Sequence, residues 1–245
     1  MFYKKQHILD TIRQIIDKIK NDRYESSLMQ KFIFEMRSIG FFFLVISFLI
    51  ITALVYAEIT EQFDISAITY FQTISGNSVL DISMWAITEI GGIIPIMIFC
   101  FVMFVWRKTR RMGLIMLLAV LIGTVASGYF KDYIVERPRP DLEYIGTELP
   151  LEIEHDTSVL GGKGSFPSGH AARAAVIAFV LGLALSERFP RGWLLLWIFP
   201  VSVGVSRIYV LQHYPMDVIG GILFGIIIAT ILASRLSISK PMSKT

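Results

Sequence analysis

Ser206, Arg207, His213 and Asp217 fall within twelve positions, in the run SRIYVLQHYPMD, with long apolar stretches on both sides. Ionisable groups in such surroundings mark a functional site by default, because a bilayer disfavours charge. His213 and Asp217 are four residues apart, a spacing that puts two side chains on one face of a helix. A carboxylate so placed can hold one imidazole nitrogen and leave the other free, as an aspartate orients a catalytic histidine. The competing reading is that the two residues only cap a turn. Arg207 lies six residues before His213, and its planar fork suits two phosphate oxygens.

A second polar knot, GSFPSGH at 164–170, opens another apolar run. Pro167 suits the first turn of a helix, and Ser165 or Ser168 can cap it. The amides of Ser168 and Gly169 would then face a site that favours an anion. Gly169 lets a ligand approach closely, and His170 is placed to donate a proton. Taken alone, the knot also reads as an ordinary loop-to-helix junction. The third element is Lys131 with the run Glu136-Arg137-Pro138-Arg139-Pro140-Asp141. Basic residues at a membrane boundary are usually snorkelling anchors, and that reading stands for Arg107, Lys108, Arg110, Arg111, Arg188 and Arg191. For Lys131 and Arg139 it gives way, because all three knots open on one face. Two histidines, a carboxylate and several cations gathered there point to phosphate chemistry.

Membrane spans must carry these residues. The chain has 245 residues, 54% of them hydrophobic and 18% charged, with a net charge of +3. That is too apolar for a soluble domain of this length and indicates one integral membrane domain. Six stretches approach the roughly 20 apolar residues that a spanning helix needs: about 39–57, 84–106, 112–130, 169–186, 193–211 and 215–234. The expected fold is therefore all-α, a six-span transmembrane helical bundle. Eight Lys/Arg lie in residues 1–38 and none in 58–84, and further basic clusters follow at 107–111, 188–191 and 235–244. This alternation puts both termini in the cytoplasm and the loop at 131–168 outside. Ile8, Ile12, Ile15, Ile16 and Ile19 recur at helical spacing among charges. They predict an amphipathic N-terminal helix, lying on the inner leaflet or packed on a partner. A short interfacial helix is expected over 64–74. The division is a cytoplasmic segment at 1–37, the membrane domain at 38–236 and a tail at 237–245. The first 37 residues are charged and read as having no cleavable apolar core. Cys100 is the single cysteine, and the histidines are His7, His155, His170 and His213. No intrachain disulfide is possible, and a structural zinc site of Cys and His is not expected.

The three segments resemble the signature of the type 2 phosphatidic acid phosphatase family, which shares its site with vanadium-dependent haloperoxidases. Its pattern is a lysine, six residues, then Arg-Pro; then Pro-Ser-Gly-His; then Ser-Arg, five residues, His, three residues, Asp. The second segment matches fully at Pro167–His170, and the third from Ser206 to Asp217. The first departs by one residue, with seven between Lys131 and Arg139 and five between Lys131 and Arg137. Arg139 is the expected phosphate ligand and Arg137 the alternative.

The resemblance implies a metal-independent lipid phosphatase with no cofactor. His213 would attack phosphorus, Asp217 would set its tautomer, and His170 would protonate the leaving group and then activate water. Lys131, Arg139, Arg207, the Ser168 hydroxyl and the Gly169 N–H would hold the equatorial oxygens. The implied partners are a membrane lipid substrate, phosphatidate-like or polyprenyl diphosphate, and the bilayer, with no nucleic acid; the oligomeric state is left open. A plasma-type membrane with the site facing outside is expected. A phosphotransferase using the same intermediate and a non-enzymatic transporter are the alternatives. The transporter reading predicts polar residues spread through the depth of several spans, whereas here they crowd at one face.

Overall fold

The computed structural model describes residues 38–141, 162–186 and 192–236, with Gln14, Asp17 and Phe189. The expected N-terminal amphipathic helix, Arg188, Arg191 and the tail lie outside the described residues. All regular elements among those described are helical: α1 (Ile39–Tyr56), α2 (Glu61–Ile74), α3 (Ser78–Ile90), α4 (Ile93–Val105), α5 (Arg110–Tyr133), α6 (Gly169–Leu185), a 3₁₀ segment (Gly192–Trp197) leading into α7 (Ile198–Tyr209), and α8 (Pro215–Arg235).

Local sequence explains where several of these begin. Ser38 accepts the Phe41 amide at the head of α1, and Asn77 accepts the Val79 and Leu80 amides at the head of α3, the usual role of short polar side chains at a helix start. Pro215 opens α8, where a missing N–H costs nothing.

Among the described residues, four helices are long and apolar enough to cross a membrane, counting the 3₁₀ segment with α7, and five if the bent pair α3–α4 is one span. The span expected at 84–106 differs in its start and its shape. It starts earlier and breaks by 49° between α3 and α4. Gly91 and Gly92 end α3 by donating to the carbonyls of Ile87 and Glu89, and Pro95 then sits in the first turn of α4, a place a helix tolerates. Gly91 also allows a close approach, since a β-carbon there would lie 2.5 Å from Val203 Cγ1 of α7. Glu89 is exposed beside the break, while Thr88 turns inward. The stretch expected at 169–186 forms α6, an apolar helix of 17 residues.

α6 is the central helix. Every residue from Gly169 to Val180 is buried, and its alanine-rich sequence lets α5, α7 and α8 close around it. The tightest seam is with α8, where a β-carbon at Gly225 would lie 2.3 Å from the Ala172 carbonyl oxygen. Phe48, Phe130, Phe166 and Phe224 form an aromatic cluster at the junction of α1, α5 and α8. The outer surface is apolar, with Phe43 of α1, Ile94 of α4 and Val125 of α5 each more than half exposed. Such a surface suits lipid rather than water.

Candidate active site

The C-terminal ends of α5 and α7 and the N-terminal ends of α6 and α8 meet at one end of the bundle. Backbone hydrogen bonds tie their extensions together: Ser165 N–H donates to the Arg137 carbonyl at 2.8 Å, and Ser168 N–H to the Asp217 carbonyl at 2.9 Å. All three motif segments are thus joined before any side chain is considered.

Between α7 and α8 the chain wraps around one carbonyl. The amides of Gln212 and His213 both donate to Arg207 O, at 3.0 and 3.2 Å. Leu211 adopts φ 55° to make the turn, a left-handed conformation that costs a branched residue about 1–3 kcal/mol and is found mainly at functional sites. His213 therefore stands in a turn and not on a helix with Asp217, as the four-residue spacing suggested. Its Nδ1 still lies 3.6 Å from Asp217 Oδ2. That is longer than a hydrogen bond, and the Ser165 carbonyl is a second acceptor beside the ring. Neither ring nitrogen makes a well-formed hydrogen bond within the protein.

His213 and Asp217 are fully buried. Lys131, Arg207 and His170 are also buried, at 1%, 2% and 7% exposure, and the charges of Arg207, Arg173 and Lys131 act on His170. Burial first, then the charges of Arg207, Lys131 and Arg139, push the pKa of His213 well below its ordinary value. The ring is therefore neutral at neutral pH, with a lone pair available to an electrophile.

Ser168 is the N-cap residue of α6, but its side chain makes no capping bond. The helix begins at Gly169, so Pro167 precedes the cap and does not occupy the first turn. Ser165 Oγ and Ser168 Oγ are buried without a hydrogen-bond partner, at the end of a helix that attracts anions. Buried hydroxyls without partners are uncommon in folded proteins, and a phosphate oxygen would satisfy both. Among the described residues no cluster of three or more His, Cys, Asp or Glu side chains could hold a metal ion.

The two arginines differ. Arg137 donates through Nη2 to Asp64 Oδ2 at 2.7 Å and through Nη1 to Asp217 Oδ1 at 2.9 Å. Burial opposes its charge, but Asp217 and Asp64 outweigh burial and raise its pKa. Arg139 reaches Gln212 Oε1 at 3.1 Å and the Lys163 carbonyl at 3.3 Å, and its charge acts on His213. The extra residue of the first segment is absorbed where α5 ends, with Glu136 at φ 46°.

Ser206 turns away from the site. It accepts a 2.7 Å hydrogen bond from the Thr88 hydroxyl and donates to the Val203 carbonyl, which docks α3 on α7. Three residues near the site escape motif reading: Asp64, Gln212 and Arg173. Arg173 had a visible signal, as an arginine one turn after His170 in an alanine-rich run. Asp64 lies more than seventy residues from its partner Arg137, so nothing local could link them.

The profile of the PAP2 superfamily matches residues 109–237, a stretch that contains all three segments. Over 192 residues the chain is 29% identical to phosphatidylglycerophosphatase B of Bacillus subtilis strain 168, covering 74% of this chain and 87% of that protein. It is 31% identical over 121 residues to an undecaprenyl-diphosphatase of Sulfolobus acidocaldarius, covering 49% of this chain and 53% of that protein. In three dimensions it resembles the transmembrane PAP2 type phosphatidylglycerolphosphate phosphatase from Bacillus subtilis, with a TM-score of 0.61 and 26% identity over 78% of this chain and 93% of that one. Because the match spans more than half of the sequence and every segment gathered at this end of the bundle, the chain belongs to the PAP2 superfamily.

Proposed function

We propose that the protein is an integral membrane phosphatase that hydrolyses a lipid phosphate or diphosphate monoester through a phosphohistidine intermediate. The phosphatase class follows from the family. One observation carries the mechanism: a buried, neutral histidine with both ring nitrogens open, beside a carboxylate and facing Lys131, Arg139 and Arg207.

In this reading His213 attacks phosphorus and the P–O bond to the lipid breaks. Asp217 stabilises the positive imidazole. Lys131, Arg139 and Arg207, with Ser168 Oγ and the Gly169 N–H, hold the equatorial oxygens, where charge builds in the transition state. His170 gives its proton to the leaving oxygen, then takes one from water, which releases phosphate and restores His213. The cations supply the electrostatic role that a metal would otherwise fill.

Topology adds the substrate class. With the four long helices, α3–α4 counted as one span and the 17-residue α6 as another, the total would be six. With basic residues 1–37 and 237–245 in the cytoplasm, the site opens at the extracytoplasmic face of a plasma-type membrane. Headgroups can enter sideways while their chains stay in lipid. The relatives named for phosphatidylglycerophosphate and undecaprenyl diphosphate support the same class.

The test uses the purified protein in detergent with a chelator present. It is offered phosphatidate, phosphatidylglycerophosphate, polyprenyl diphosphate and lipid A 1-phosphate, and phosphate release is measured. An acid-labile, base-stable phosphoenzyme should form with the ³²P-labelled substrate that turns over best, and should be absent in His213→Ala. The reading fails if His213→Ala keeps more than about a tenth of wild-type turnover, since general acid–base help alone supplies roughly 10²–10⁴-fold.

A further inference from the structure

Asp64 of α2 is fully buried, and both of its oxygens are engaged. Oδ1 accepts the Met216 amide at 3.1 Å, in the first turn of α8. Oδ2 accepts Arg137 Nη2 at 2.7 Å and the Thr60 hydroxyl at 3.1 Å. The Arg137 Cζ lies over the Tyr214 ring, 4.0 Å from its centroid, and the other terminal nitrogen donates to Asp217 Oδ1. Asp217 Oδ2 accepts the Tyr214 amide at 2.9 Å and faces His213 Nδ1. A continuous chain of contacts thus runs from Asp64 through Arg137 and Asp217 to His213.

The charge along this chain matters. His213 faces Arg207, Lys131 and Arg139, with His170 as a further neighbour and Asp217 as the counterion. An arginine paired with Asp217 alone would cancel that counterion. Two carboxylates on one guanidinium leave a net negative charge beside the ring, available when the imidazole becomes positive.

We propose that Asp64 is a positioning residue for the reaction: it holds Arg137 as a shared clamp, fixes the Asp217 carboxylate, and keeps that carboxylate's charge available to His213. This rests on His213 being the nucleophile. It also makes Arg137 part of the clamp and not a phosphate ligand.

The test is single-turnover phosphoenzyme formation with ³²P-labelled substrate on the full chain in detergent. Asp64→Asn preserves an acceptor for the Met216 amide but removes the charge. Formation should slow by about 10- to 100-fold, the range for losing a group that orients a reacting one. The inhibition constant of inorganic phosphate should stay within about threefold, and the acid limb of the pH profile should move to lower pH, because the uncompensated arginine disfavours a positive ring. Adding Arg137→Gln to Asp64→Asn removes that arginine's charge and should recover at least about threefold of the lost rate, a rescue that damaged folding cannot imitate. The proposal is overturned if Asp64→Asn reacts within about threefold of wild type, if the second substitution deepens the loss, or if the phosphate inhibition constant rises tenfold with the acid limb unmoved. His213→Ala separates the two readings. If it stays active, the nucleophile assignment falls; if it is inactive while Asp64→Asn is unaffected, only the role of Asp64 falls.

Discussion

A single methyl group placed in the seam between α6 and α8 should uncouple the site. Gly221 lies one turn beyond Asp217, and a β-carbon there would lie 2.4 Å from the Ser168 carbonyl oxygen and 3.2 Å from Ala171 Cβ. Ordinary contact begins at 3.4 Å, so the shortfall is 1.0 Å (3.4 less 2.4). The carbonyl cannot rotate aside, because it accepts the Ala172 amide at 3.0 Å in the first turn of α6. The helix ends must therefore separate where Ser168 N–H meets the Asp217 carbonyl at 2.9 Å. Lengthening that bond by about 1 Å breaks it and carries His170 away from His213.

Misplacement by about 1 Å lowers rates by roughly 10²-fold. Overpacking costs about 1–3 kcal/mol, offset by the 0.5–1 kcal/mol that alanine gains over glycine in a helix. Gly221→Ala should thus lose about 99% of its turnover while its thermal midpoint in detergent falls by only a few degrees. Gly123→Ala of α5 is the matched control. Its β-carbon would meet Ile228 Cδ1 at 3.6 Å, an ordinary contact, so activity should stay within about twofold and stability should rise by about 0.5–1 kcal/mol. Phosphate release and thermal unfolding are measured on both variants. A Gly221→Ala enzyme with more than a third of wild-type turnover would refute the reasoning, as would an equal loss in Gly123→Ala.

Arg139→Ala should raise KM and the inhibition constant of inorganic phosphate by about 10- to 150-fold, the worth of a hydrogen bond to a charged group, with Arg139→Lys intermediate because it retains charge but loses the fork; unchanged binding in Arg139→Ala would remove it from the phosphate site. His213 also predicts an acid sensitivity. Its folded pKa is depressed, so below about pH 6.5 the unfolded chain takes up a proton that the folded chain does not. The stability contribution is full above about pH 6.5 and is lost as pH falls toward the folded value. Thermal midpoints from pH 7.5 to 5 should therefore fall less steeply for His213→Gln than for wild type, and parallel curves would contradict this.

Much of this protein could be read from local sequence. Apolar run length places helices, because a backbone in lipid must satisfy its own hydrogen bonds, and α1, α5 and α8 start and end within a few residues of expectation. The motif spacing brought out His170, Arg207, His213 and Asp217, since ionisable groups stand out against apolar neighbours. The break at Gly91–Gly92 was less legible, because apolar composition carries through a bend without changing. Tertiary structure alone decided which partners each arginine meets. Arg137 and Arg139 share one local context, Arg-Pro-Arg-Pro, yet one is bound between Asp64 and Asp217 and the other reaches Gln212. Asp64 likewise reads only as an acid at the start of a short interfacial helix until α2 folds back and buries it against the head of α8. Such roles depend on which distant charge arrives at a given nitrogen, and only the packing of the helix ends determines that.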